Sequence, residues 1–114
     1  MLTLLDFLGL YNEAATRKSY KRGLRRYLEC IYQLSDDTRD DEEYNRLSVR
    51  YMTEQRDYRD DLRSYVTWLG RYAPKTAILY YTCTLVWLQE NDREIPQREL
   101  KRIASRLLNR GILT

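Results

Sequence analysis

Six of the ten residues from Arg17 to Arg26 are basic: Arg17, Lys18, Lys21, Arg22, Arg25 and Arg26. No acidic side chain interrupts them until Glu29. Cations at this density do one kind of chemistry well. They neutralise phosphates, and the counterions so released drive binding. Projected at about 100° per residue, the six fan across roughly half of a helix. Tyr20, Leu24, Tyr27, Leu28 and Ile31 fill most of the rest, with Leu28 at the basic edge and Gly23 between the two faces. A charge run on a helix often does no more than keep that face in water. For Lys75 taken alone that reading prevails, and for the basic residues near the C-terminus the two readings balance. The density of the first cluster favours a ligand.

Catalytic candidates are few. The chain has no histidine, the commonest general base and metal ligand. Its carboxylates sit in solvated-looking runs such as Asp40-Asp41-Glu42-Glu43, and neither a Gly-rich phosphate loop nor a nucleophile motif is present. Cys30 and Cys83 match no metal spacing and fall inside helical patterns, so reduced, buried or half-buried thiols are expected. These residues predict a binding domain without catalytic groups, metal or cofactor.

The elements that must position the basic cluster are helical. The chain has 114 residues, enough for one domain with one core. Four glycines and two prolines leave little punctuation for short strands. The fold class expected is all-α, a compact bundle of four or so helices. Residues 1–15 read as an N-terminal arm or short helix. The apolar run Leu2–Leu10 is broken by Asp6, is too short to span a membrane and lacks a basic leader, so a cytoplasmic protein is expected.

The first long helix is expected from Arg17 to Leu34, with Thr16 as its N-cap, and Ser35 to Glu43 reads as a loop. Tyr44, Tyr51, Tyr58, Tyr65 and Tyr72 then recur at every seventh residue, with Leu62 and Leu69 four residues after two of them. An unbroken helix over Asp41–Tyr72 would measure roughly 48 Å at 1.5 Å per residue. That is long for this chain, so a break is expected between about Arg50 and Asp57, followed by a firmer helix from Asp57 to Tyr72. Polar Ser48 and Gln55 at d-like positions favour packing of the tyrosines within one chain over a coiled-coil dimer.

Pro74 is expected to end that helix, and Lys75 or Thr76 to open a third that runs to Glu90 or Asn91. Its inner face would be Ala77, Tyr81, Leu85 and Leu88, with Ile78 beside them and Trp87 at the edge. Asn91-Asp92 marks a turn. A last helix from about Pro96 to Asn109 would turn Leu100, Ile103, Leu107 and Leu108 inward and stop at Gly111. It too is basic, through Arg98, Lys101, Arg102, Arg106 and Arg110.

Charge is uneven along the chain. Residues 1–35 hold six basic and three acidic side chains, residues 36–61 five and ten, and residues 62–114 nine and four. Such polarity fits a surface that presents positive charge in one direction, as a polyanion requires. The starts of the first and third helices would add backbone N–H groups and the positive ends of helix dipoles.

Several segments resemble the N-terminal core-binding (SAM-like) domain of tyrosine recombinases, the phage-integrase type. One is Thr16-Arg17-Lys18-Ser19-Tyr20, continuing to Leu24 and Tyr27. A second is Asp61-Leu62, Tyr65-Val66 and Leu69, leading into Ala73-Pro74-Lys75-Thr76 and on through Tyr80, Tyr81 and Leu85. Asn91 to Ile95 and the closing residues 107–114 resemble the approach to a linker, in the manner of archaeal integrases. The resemblance implies that residues 16–110 are one half of a clamp around duplex DNA. Residues 111–114 would begin the linker to a catalytic domain, which would perform strand cleavage. It implies DNA contacts from Arg17, Lys18, Ser19, Arg22, Lys75, Thr76 and Tyr80; the helical projection adds Lys21 and Arg25. Other recombinase protomers on the same DNA would be further partners, and no membrane is involved.

Two other readings stand beside this one. The chain could be a protein–protein module that dimerises through the Tyr44–Tyr72 stripe. It could also be a helix-turn-helix regulator with its turn at Arg71–Lys75. Pro74, and Ala77, Ile78 and Leu79 where a recognition helix displays polar readers, count against the latter.

Overall fold

Most of the helices begin where a side chain or a proline can start them, and α2 begins on a backbone bond alone. The computed structural model describes residues 1–35, 39–103 and 105. Helix α1 spans Leu4–Leu8 and opens on a capping box in which Thr3 and Asp6 satisfy each other's backbone N–H groups. Two further N–H groups of its first turn find side chains from another helix. Leu4 donates to Ser48 Oγ and Leu5 to Asn45 Oδ1, both at 2.9 Å. A helix this short has no stability of its own, and these bonds with the buried Leu4, Phe7 and Leu8 hold it down.

Helix α2 spans Ala14–Tyr32. Thr16, the expected N-cap, lies inside it, because the Arg17 N–H donates to the Glu13 carbonyl at 3.1 Å and carries the helix back by nearly a full turn. Gln33 adopts a left-handed φ of 53° and the Leu34 N–H returns to the Glu29 carbonyl at 2.9 Å, which closes the helix. Helix α3 spans Asp41–Thr53. The loop expected to reach Glu43 is therefore shorter. Asp40 accepts the Glu43 N–H at 2.9 Å, and Asp41, Glu42 and Glu43 form the first turn, where carboxylates meet the positive end of the helix dipole.

The break falls inside the expected window. Helix α4 spans Tyr58–Trp68 and is capped by Asp57. It stops short of Tyr72, since Leu69–Arg71 tighten into a 3₁₀ turn and Tyr72 is extended. Pro74 then starts a helix as well as ending one. It occupies the first position of α5, Pro74–Glu90, where its missing N–H costs nothing. Asp92, at a left-handed φ of 58°, closes α5 at the expected turn. Residues 97–103 are helical. The expected continuation to Asn109, with Arg106, Leu107, Leu108 and Arg110, the stop at Gly111 and the linker at 111–114 lie outside the described residues. No strand occurs among the described residues, and no helix among them is long and apolar enough to cross a membrane.

The tyrosine stripe faces inward. Tyr44 and Tyr51 of α3, Tyr65 of α4 and Tyr27 of α2 are wholly buried, while Tyr58 and Tyr72 are half-buried. Tyr27 meets Tyr51 and Tyr65 edge to face, with ring centroids 5.4 and 4.9 Å apart. The stripe is divided between α3, α4 and Tyr72 beyond the 3₁₀ turn, and its buried members pack within one core. Trp87, expected at an edge, is also fully buried. Its indole N–H donates to the Leu2 carbonyl at 3.0 Å. Asn91 completes a clasp there, accepting the Leu2 N–H at 2.6 Å and donating back to the Leu2 carbonyl at 3.1 Å.

Helices α2 and α5 run antiparallel in close contact. Cys83 Sγ lies over the Tyr20 carbonyl, and Gly23 faces Tyr80 and Cys83. A Cβ at Gly23 would come within 2.5 Å of Cys83 Sγ and 3.3 Å of the Tyr80 Cα. The glycine that lowers helix propensity in α2 is what lets the two backbones approach.

Candidate nucleic-acid interface

The residues opposite Gly23 and Tyr27 on α2 are cationic. Lys18, Lys21, Arg22, Arg25 and Arg26 recur at i, i+3, i+4, i+7 and i+8, the spacing of one helical face. Together they line a crevice of about 350 Å³. Arg17, Lys18 and Arg22 are exposed, and none of them is ion-paired with a described residue.

The remaining cations are held by acids. Asp41, in the first turn of α3, lies 3.3 Å from Lys21 Nζ and 3.8 Å from Arg25 Nη1. Arg25 also donates to the Arg39 carbonyl at 3.2 Å, and its guanidinium lies 4.3 Å from the centre of the Tyr44 ring. Arg26 grips both oxygens of the buried Glu29 at 2.7 and 2.9 Å. The Tyr44 hydroxyl donates to the same carboxylate. Burial first, and that carboxylate second, push the Tyr44 hydroxyl above its ordinary pKa. Lys21 and Arg25 therefore stand on the expected face but share their charge with α3.

The two helix starts do not come together. Because α2 and α5 are antiparallel, Arg17 and Lys18 stand at one end of the pair and Lys75 and Thr76 at the other. Lys75 is exposed and Thr76 half-buried. They lie toward the end of α2 that carries Arg26. Arg26 and Arg71 both act on Tyr72, opposing the rise that burial gives its hydroxyl. Arg71 is exposed and lies 4.0 Å from the Trp68 ring centre. The cations form a strip along α2 that reaches toward Arg71 by way of Tyr72, while Lys75 stands on α5 apart from it, so the two helix ends do not converge.

Tyr80 does not belong to this surface. It is only 6% exposed, with its ring edge-on to Tyr72 at 5.5 Å and its backbone against Gly23. Ser19 is half-buried. Sequence reasoning missed Arg71 and Asp41. The spacing of three residues from Trp68 to Arg71 was a usable signal for a cation over a ring. Asp41 was hidden by the reading of its segment as a loop.

The arrangement can hold anions, and its other groups are chemically quiet. Burial pushes the Cys30 thiol up to about 11 and the Cys83 thiol up to about 12, so both remain protonated at neutral pH. A second polar cluster is satisfied internally. The Tyr27 and Tyr51 hydroxyls are 2.5 Å apart, Tyr51 donates to Asp61 at 2.8 Å, and Arg56 forks onto Asp61 at 2.8 and 3.1 Å. Arg56 also reaches Glu54 at 3.2 Å. Among the described residues, no group of three Cys, Asp or Glu side chains is placed to hold a metal ion. No family model matches this chain, and no match is found among curated proteins or solved structures.

Proposed function

We propose that this chain is a non-catalytic module that binds duplex DNA through the cationic face of α2. It would serve as the core-binding domain of a site-specific tyrosine recombinase. A linked catalytic domain would supply strand cleavage and close the other half of the clamp. The observation that carries the reading is the α2 crevice, where five cations converge and Lys18 and Arg22 stand exposed without an acid among the described residues. Arg17 extends the same strip, with Ser19 at its margin and Tyr80 backing α2 from the core, whereas Lys75 and Thr76 lie apart from it on α5. The segments that resemble the recombinase module, from Thr16 to Tyr27 and from Asp61 to Leu85, support the narrower assignment.

Binding to a short duplex at rising salt tests the broad reading. Neutralising about four phosphates would give a slope of log affinity against log salt near −3.6. Lys18→Glu and Arg22→Glu should each weaken binding about tenfold or more at low salt, whereas Arg59→Glu should change it little. Arg59 lies on α4 and already pairs with Asp57 at 3.8 Å. Equal losses from α2 and from Arg59 would remove the proposed face.

A further inference from the structure

Helix α5 is apolar on almost every side, and one of its faces is left uncovered by the described residues. Ile78 and Leu79 are 36% and 39% exposed, Thr82 is exposed, and Leu85 and Val86 are half-buried. At about 100° per residue these five lie within 60° of a line through Thr82. Ala77, Tyr80, Tyr81, Trp87 and Leu88 occupy the opposite, buried side. A surface helix of an isolated domain ordinarily turns charges to water on such a line.

The charges stand only at its ends. Lys75 is seven residues before Thr82 and Glu90 eight residues after it, and both are exposed. We infer that α5 pairs with α5 of a second copy of this chain, antiparallel about Thr82, in a two-fold dimer. This orientation sets Lys75 of each copy against Glu90 of the other, and Ile78 and Leu79 against Leu85 and Val86. A parallel pairing would set lysine on lysine and glutamate on glutamate. Thr82, the shortest exposed side chain of the line, sits where the two helices cross and lets them approach. A single contact between helices of 17 residues falls below the 1,200–2,000 Å² of a standard interface. The association is accordingly weak, with Kd on the order of 10–100 μM. It does not depend on what α2 binds.

Sedimentation equilibrium of the full chain, without nucleic acid, tests this. Across about 10–500 μM, a range set by that affinity, the weight-average mass should rise from 13.9 kDa toward twice that value. Thr82→Glu should hold it at 13.9 kDa with an unchanged circular dichroism spectrum. Lys75→Glu should weaken association about threefold to tenfold, and adding Glu90→Lys should restore it, which reads the antiparallel register without disturbing the apolar residues. A monomer at every concentration, an undiminished Thr82→Glu dimer or a charge swap without rescue would each overturn the proposal. A monomer whose α5 is covered by the chain's own residues 106–114 falls in the first class.

Discussion

Asp41 reaches back from α3 to Lys21 and Arg25 and so withdraws two charges from a face on which the sequence counts them as free. An exposed pair of this kind contributes about 0.2–1 kcal/mol. Asp41→Asn should therefore strengthen duplex binding about two- to fivefold at low salt, with the gain fading as salt rises, as fluorescence anisotropy would read. The sequence could not supply this correction, because Asp41 touches Lys21 only after a turn across twenty positions. Tyr80 is the converse case. Its place near a helix start resembles a contact residue, yet Gly23 packs against its Cα and draws it into the core. Asp61 is more consequential still for stability. Asp61→Asn leaves the Arg56 guanidinium and the Tyr51 hydroxyl without their shared carboxylate, and should cost about 3 kcal/mol in chemical denaturation. Tyr51→Phe, which removes one hydroxyl, should cost about 1 kcal/mol.

At the scale of elements, the heptad spacing of the tyrosines identified α3 and α4 and the length limit located the break between them. Both depend on local periodicity, which a sequence carries openly. The helix starts were less legible because each turns on one or two residues. Asp40 turned an acidic run into a cap, and Glu13 moved the N-cap of α2 three residues back from the expected Thr16. The packing of α2 on α5 was hidden altogether, since a glycine inside a helix reads as a weakness until its neighbour is known. Gly23→Ala tests that contact. Alanine favours the helix by about 1 kcal/mol, but its Cβ would meet Cys83 Sγ at 2.5 Å. A net loss of about 1–3 kcal/mol is expected. Cys83→Ala in the same chain should recover part of it, so that the double variant is more stable than the sum of the two single effects.

Over the whole molecule, the buried hydroxyls and thiols set the alkaline limit of the fold. Burial raises Tyr27, Tyr51 and Tyr65 well above 10, and raises Cys30 to about 11 and Cys83 to about 12. Each group holds its proton more tightly folded than unfolded. The stability it contributes is complete below the unfolded values of about 9 to 10 and is lost as pH climbs through the folded ones. The midpoint of thermal unfolding should fall steeply above about pH 9.5, and tyrosinate absorbance should appear with unfolding rather than ahead of it. The radius of gyration, 13.5 Å, matches the roughly 13 Å of a compact domain of this length, and one cooperative transition is expected. The clasp between Leu2 and the end of α5 has a last consequence, for the order in which the chain is made. Leu2 cannot find the Trp87 indole or the Asn91 amide until some ninety residues have left the ribosome. A stretch made before its partners is thus locked only after them, and a nascent chain paused before Trp87 should leave the Leu2 end of α1 more open to proteolysis.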